Sequence, residues 1–115
     1  MLDTQIKIHS EIETIHLSFK GNISITVTDI FEVSLGDALA SGHKKILIDF
    51  QEVEIIASSG LRVLLVFAKK AKKGNVRFAI CNMNNRIKQI FDSAGFTEIF
   101  EIHPCHETAI QAFTK

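Results

Sequence analysis

The sequence predicts a mixed α/β domain in which four to five strands form a mostly parallel sheet and about four helices cover it. Three observations support this fold class. Strand-like and helix-like segments alternate along the chain, the segment "KKILIDF" is nearly all apolar, and the first two strands lie close enough for a hairpin. We expect one domain over residues 1–115, because this length and a hydrophobic content of 46% suffice for a single core.

The chain opens with the weakly alternating stretch "IKIHSEI" and the clearer stretch "IHLSF". In the second stretch Ile15, Leu17 and Phe19 share one face, whereas His16 and Ser18 share the other. This alternation predicts a strand with one side in the core and the other in water. Together the two stretches predict a β-hairpin.

A helix and the central strand come next. After the turn "KGN", residues 28–41 carry apolar side chains at helical spacing, and Gly42 marks the end of this helix. The apolar run that includes Ile46, Leu47, Ile48 and Phe50 then predicts a strand covered on both faces, which is the expected position of a central strand.

A second helix is predicted from Ser58 to about Lys70. Its inward stripe is expected to consist of Leu61, Leu64, Leu65 and Ala68. Gly74 ends it, and four lysines at 69, 70, 72 and 73 suit the negative end of the helix dipole. We interpret these lysines as a solvated last turn, with an acidic docking partner as the alternative.

The rest of the chain repeats this alternation. We expect strands at "VRFAIC" and "TEIFEIH" and helices at "NNRIKQIFDSAG" and "HETAIQAFTK". Cys81 is expected to be a small buried side chain in its strand. The group His103, Cys105 and His106 is too crowded for three metal ligands from one rigid element, so we predict no metal site and no cofactor.

Composition and motifs narrow the function classes. Thirteen basic and thirteen acidic residues leave no net charge to attract nucleic acid or an anionic membrane. No apolar run approaches the roughly 20 residues of a membrane span, and no secretion signal is evident, so we expect a cytoplasmic protein without direct membrane insertion. Neither Ser58 nor Ser59 completes the G-x-S-x-G motif, and no nucleotide-binding glycine motif is present, so we do not expect an enzyme.

The segment "IIASSGLRVLL" carries the functional signal. Two serines at the start of a helix are explained most simply as helix caps, and an anion-binding site at the helix N-terminus is a second possibility. A third is phosphorylation of a serine, because the helix N-terminus tolerates the added negative charge while a partner site beside it does not. The helix also carries a second apolar edge, Val63, Val66 and Phe67, which either is buried within the domain or faces a partner.

The order of the elements and the segment "ILIDFQEVEIIASSGLRVLL" resemble the STAS domain family, and within it the small anti-sigma factor antagonists. The resemblance extends from about Ile15 to Phe113. It includes the "FKGNI" turn, the central strand with Asp49, the "SSGL" helix start and the late segment "NNRIKQIFDSAGFTEIFEI".

This resemblance implies a bacterial partner-switching protein that acts in transcription regulation. Such a protein binds an anti-sigma factor that is also a serine kinase, the kinase phosphorylates it and ends the complex, and a phosphatase restores it. The family's phosphoacceptor falls on Ser58, with Ser59 as the second candidate. We expect the partner surface to consist of Ser24, Ala57, Ser58, Ser59, Gly60, Leu61, Arg62, Val63 and Val66.

Two positions depart from the family pattern. Ala57 stands where the family has an aspartate before the acceptor, and Ser24 stands where an acidic residue is usual after the glycine turn. Losing two carboxylates weakens recognition by a kinase that reads them, but it also removes repulsion against an added phosphate. The alternative function is therefore a STAS interaction module of a transporter or stress-signalling complex that works without phosphorylation.

Overall fold

The computed structural model describes residues 2–114. Within them, five strands form one sheet in the order β1-β2-β3-β4-β5. The strands are β1 (Asp3–His9), β2 (Thr14–Lys20), β3 (Lys45–Glu52), β4 (Arg77–Cys81) and β5 (Glu101–His103). β1 pairs with β2 antiparallel, and the remaining three pairs are parallel, which confirms the predicted hairpin, the central strand and the fold class.

Helices cover both faces of the sheet. They are α1 (Thr28–Ala40), α2 (Ser58–Lys73), α3 (Asn85–Ala94) and α4 (His106–Phe113). The larger core joins one face of the sheet to α1, α2 and α3, whereas a smaller cluster joins Leu47, Ala79 and Cys81 on the other face to α4. None of the helices within residues 2–114 combines the length and apolar character that a membrane span requires.

The prediction that His16 faces water is wrong. His16 is only 7% exposed, because α4 packs across the face of the sheet to which His16 belongs. The sequence pattern of β2 showed which side chains share a face, but it carried no information on whether a second helix layer covers that face.

The predicted strand "TEIFEIH" is shorter than expected. Gly95, with a left-handed φ of 76°, ends α3, and residues Phe96–Glu98 form a turn of 3₁₀-helix before β5 begins at Glu101. Phe96 and Phe100 turn into the core and pack around Phe91, at centroid distances of 5.4 and 5.9 Å. Aromatic packing therefore decides the conformation of a segment whose alternation indicated a strand.

The predicted inward stripe of α2 is partly confirmed. Leu64 and Ala68 are buried as expected, whereas Leu61 and Leu65 are only half-buried. The side of α2 that meets the sheet also includes Gly60, Phe67 and Ala71. Of the two alternatives left open for the second apolar edge of α2, burial within the domain holds for Phe67, whose ring packs edge-on against Phe78 at 5.5 Å.

Gly60 sets how closely the first turn of α2 approaches the sheet. A Cβ atom at this position would lie 2.8 Å from Ile56 Cγ1 and 2.9 Å from Ile23 Cγ2. Both neighbours are buried, β-branched side chains with little freedom to move away. The absence of a side chain at residue 60 therefore lets the helix start lie directly on the Ile23–Ile56 pair.

We expect Gly60→Ala to lower the free energy of unfolding by about 1–3 kcal/mol, although Ala is favoured over Gly in a helix by about 1 kcal/mol. Gly36→Ala is the matched control, because Gly36 lies within α1 and a Cβ atom there would have no packing neighbour within 4 Å. The control should raise the free energy of unfolding slightly. Urea denaturation of both variants measures the difference, and equal effects would contradict the close packing at Gly60.

Candidate functional site

The start of α2 is held beside the segment that follows β2. Ile23 and Ile56 form an isolated parallel β-bridge. The amide of Ile23 donates to the carbonyl of Ile55 at 3.0 Å, and the amide of Ala57 donates to the carbonyl of Ile23 at 2.8 Å. Since Ser24 and Ala57 each follow a bridged residue, the structure brings together the two positions that depart from the family pattern.

The hydroxyl of Ser59 is bound to the start of α1. Ser59 Oγ lies 2.8 Å from Thr28 Oγ1, and Thr28 Oγ1 donates to the carbonyl of Ser24 at 3.1 Å. A threonine hydroxyl has only one hydrogen, so Ser59 is the donor to Thr28. Ser59 therefore ties the start of α2 to the start of α1.

Ser58 has a different environment from its neighbour. It is the first residue of α2, it is exposed, and no side chain within residues 2–114 hydrogen-bonds to its hydroxyl. Arg62 is also exposed and follows one helical turn later, on the same side of α2 as Ser58. The outer side of the first turn thus presents a free hydroxyl and a positive charge.

The interpretation of the serines as helix caps is wrong. Ala57 occupies the N-cap position in an extended conformation, and no side-chain hydrogen bond caps the helix. The carbonyl of Ala57 accepts the amides of Gly60 and Leu61 at 2.9 and 3.1 Å, so the helix begins before either hydroxyl can occupy the capping position. The first amides of α2 consequently receive no acceptor from the N-cap side chain.

The other predicted contact residues differ in exposure. Arg62 and Val66 are exposed, Leu61 and Val63 are half-buried, and Gly60 is buried. Val63 and Val66 line a shallow groove between α1 and α2. Contact of these residues with a partner stays a prediction, and for Gly60 the internal packing already accounts for the missing side chain.

Two exposed apolar residues near Ser58 were missed by the sequence analysis. Ile25 follows Ser24 and is 76% exposed, and Ile55 precedes the bridged Ile56 and is 40% exposed. Nothing in their sequence context separates them from core isoleucines, because Ile25 begins a single turn of 3₁₀-helix, Ile55 lies in a loop, and neither segment has a regular period. They add apolar surface on both sides of the bridge that positions Ser24 and Ala57.

A second polar site lies on the face of the sheet that α4 partly covers. Its groove has a volume of about 570 Å³ and lies between β1, β2, β3 and the first turns of α4. His16 Nε2 lies 2.9 Å from Asp49 Oδ2, and Asp49 Oδ1 also accepts hydrogen bonds from the amide of Gln51 and from Asn82 Nδ2. The imidazoles of His9 and His106 both lie close to that of His16, each at a centroid distance of 5.8 Å.

The groove changes the acidity of two of these groups. Burial opposes ionisation of Asp49, but hydrogen bonds from His16, Asn82 and the Gln51 amide outweigh it and hold the carboxyl pKa below its usual value. Burial, followed by positive charge on His16, Lys7 and His106, lowers the pKa of His9. The Nε2 atom of His9 is buried and has no hydrogen-bond partner within residues 2–114.

Neither cysteine lies in a metal-ligand arrangement. Within residues 2–114, no group of three or more His, Cys, Asp or Glu side chains is arranged to hold a metal ion. His103 pairs with Glu101 at 2.8 Å, and His106 lies 3.2 Å from Glu107, so the two histidines beside Cys105 have separate carboxylate partners. Cys81 is buried in β4 as predicted, and burial raises the pKa of its thiol.

The mostly parallel five-stranded sheet and the serine-bearing start of α2 together define a small mixed α/β domain. A family model of the STAS domain matches residues 3–109. The chain therefore belongs to the STAS domain family, which confirms the resemblance seen in the sequence.

Known relatives and solved structures agree with this assignment. Over 94 residues the chain is 26% identical to BtrV of Bordetella bronchiseptica, which bears the name of an anti-sigma factor antagonist, and the match covers 82% of this chain and 81% of BtrV. The crystal structure of an anti-sigma factor antagonist from Mycobacterium paratuberculosis has a TM-score of 0.91 at 21% identity, covering 100% of this chain and 96% of the other.

The Bacillus cell fate determinant SpoIIAA shares the fold in both of its phosphorylation states. Its unphosphorylated form has a TM-score of 0.74 at 17% identity, and its phosphorylated form has a TM-score of 0.72 at 15% identity. The two comparisons each cover 96% of this chain, and they cover 96% and 99% of the SpoIIAA chains.

We expect the stability of the protein to fall as the pH decreases from about 6.5, the ordinary pKa of His9. Below this pH the unfolded chain binds a proton at His9 more readily than the folded protein does, so acidification favours unfolding until the lowered folded-state pKa is reached. The His9→Gln variant should lose less stability over the same interval. Urea denaturation at several pH values measures the free energy of unfolding of both proteins. An identical pH dependence would contradict the lowered pKa of His9.

Proposed function

We propose that this protein is an anti-sigma factor antagonist whose binding to an anti-sigma factor is regulated by phosphorylation of Ser58. The anti-sigma factor is also the serine kinase, and a phosphatase returns the antagonist to its binding form. The observation that carries the proposal is the exposed, unbonded hydroxyl of Ser58 at the start of α2. The family assignment and the names of the relatives support the same function.

The two adjacent serines differ in their availability to a kinase. Phosphorylation of Ser59 would replace the hydroxyl that donates to Thr28 and would break the 2.8 Å contact between the starts of α1 and α2. Phosphorylation of Ser58 breaks no side-chain hydrogen bond within residues 2–114. The local geometry therefore favours Ser58 as the acceptor.

The surroundings of Ser58 suit a phosphate group. A phosphoserine carries about −1.5 to −2 charges at neutral pH, and the first amides of α2 together with the positive end of its dipole attract that charge. Arg62 adds a positive side chain one turn away. With Ala57 and Ser24 in place of acidic residues, no carboxylate at either position repels the phosphate.

The same phosphate would oppose binding of a partner. Ile25, Ile55 and Val66 present exposed apolar side chains around the start and outer side of α2. A partner that covers this surface has to remove water from the phosphate at its edge, and a penalty of about 3 kcal/mol lowers affinity roughly a hundredfold. Phosphorylation can thus end the complex without unfolding the domain.

Mass spectrometry of the protein from its own host tests the acceptor. Trypsin releases residues 46–62 as one peptide, in which Ser58 and Ser59 are the only hydroxyl side chains. We expect phosphate on Ser58, located by fragment ions that separate the two serines. Phosphate on Ser59, or none in a phosphatase-deficient strain across growth and stress conditions, would overturn the phosphorylation step and leave a constitutive interaction module.

Binding to the purified anti-sigma factor kinase of the same host tests the function itself. Ser58→Ala should bind about as tightly as the unmodified protein but accept no phosphate, whereas Ser58→Glu should bind at least about tenfold more weakly because its charge must be desolvated. Ser59→Ala is the matched control and should still be phosphorylated. Calorimetric titration gives the affinities, and equal binding of Ser58→Glu and the unmodified protein would contradict the proposal.

A further inference from the structure

One edge of the sheet is long and unpaired within residues 2–114. β1 has seven residues and hydrogen-bonds only to β2, so the backbone groups on its other side have no partner strand. The opposite edge, β5, has only three residues. An exposed edge of the length of β1 is a template for pairing with another strand.

Two side chains of β1 are apolar but exposed to water. Ile6 and Ile8 lie opposite Leu17 and Ile15 in the register with β2, and so belong to the sheet face that carries the main core. They are nevertheless 61% and 56% exposed. α1 reaches β1 at Thr4, whose hydroxyl lies 3.2 Å from the Ser34 hydroxyl, and it leaves the two isoleucines uncovered.

We propose that β1 is a self-association surface, where it pairs antiparallel with β1 of a second copy around a two-fold axis at Gln5. Two five-stranded sheets then join into one sheet of ten strands. The proposal goes beyond the anti-sigma function and does not depend on it, because it rests on the sheet edge alone.

Several registers of the β1 pair would keep side chains of the same sheet face opposite one another. Among these registers, charge favours the one with the axis at Gln5. In an antiparallel pair, residues directly opposite each other point to the same face of the sheet. The two-fold axis must therefore pass through a residue, because an axis between two residues would place each side chain opposite one that points to the other face. With the axis at Gln5, Asp3 lies opposite Lys7 of the second copy, and the pair occurs twice. With the axis at Lys7, the two lysines would face each other, which is destabilising.

The apolar face supports the same register. With the axis at Gln5, Ile8 lies opposite Leu2 of the second copy, and Ile6 lies opposite Thr4. Leu2 is already buried in the core, so Ile8 would extend the core across the junction. With the axis at Ile6, Ile8 would lie opposite Thr4, and Lys7 would lie opposite the uncharged Gln5.

Lys7 also accounts for why β1 would pair with a second copy of itself and not with an arbitrary strand. A lysine on an exposed edge strand usually prevents pairing, because burying it beside an arbitrary strand leaves its charge without a partner. A second copy of β1 supplies Asp3 at the matching position. Because two strands bury a small area, we expect a dimer whose population rises with concentration rather than a permanent one.

Charge reversal with rescue tests the pairing. Asp3→Lys and Lys7→Asp each place like charges opposite one another, and each should weaken dimerisation about tenfold or more. The double variant Asp3→Lys/Lys7→Asp restores both pairs and should recover dimerisation. Analytical ultracentrifugation over a wide concentration range measures this, with circular dichroism to confirm that every variant is folded. A folded wild-type protein that stays monomeric, or a double variant that does not recover, would overturn the proposal.

Cysteine crosslinking tests the register. In a Cys105→Ser background, Gln5→Cys places two thiols at directly opposite positions, where Cα atoms about 4.5–5.5 Å apart allow a disulfide. Ile6→Cys is the matched control, since its two copies would be diagonal neighbours about 7–8 Å apart, beyond the usual range for a disulfide. We expect an oxidised dimer from Gln5→Cys only. Preferential crosslinking through Ile6→Cys would instead support the axis at Ile6 and overturn the proposed register.

Discussion

The parallel pairing of β2 with β3, continued beyond both strands by the bridge between Ile23 and Ile56, is the constraint on which the rest of the site depends. Hydrogen bonds along this bridge fix Ala57 in an extended conformation, so α2 can begin only at the next residue. The same bridge brings the start of α1 within hydrogen-bond distance of Ser59. Gly60 then allows the first turn of α2 to rest on the two bridged isoleucines.

Because of this constraint, two chemically identical neighbours have different surroundings. Ser59 faces α1 and joins the two helix starts, whereas Ser58 faces solvent with its hydroxyl free. A site for reversible modification requires that the modified group contribute little to the fold, because otherwise each modification would also destabilise the domain. Ser58 meets this requirement because the packing around Gly60 and the bond from Ser59 already hold the start of α2.

The polar residues on the opposite face of the sheet are buried, unlike Ser58. Asp49 and His16 are buried under α4, and each Asp49 oxygen has hydrogen-bond partners, so its charge is stabilised inside the domain. α4 is held there by its small apolar cluster and by Lys45 and Arg77, which donate to the carbonyls of Phe113 and Ala112. The charged and apolar contacts of α4 thus convert a half-polar sheet face into a partly enclosed groove.

The sequence by itself determined the order of strands and helices, the central strand, the hairpin and the position of the serine-bearing helix start, because these depend on local periodicity and on turn residues. The family resemblance pointed to Ser58. Only the tertiary structure decided that His16 is buried with Asp49, that Phe67 faces the core, that Ala57 rather than a serine occupies the N-cap position, and that Phe96 and Phe100 replace part of a strand by a turn. These outcomes depend on which helix covers which face and on contacts between residues far apart in the chain, and no local pattern encodes those contacts.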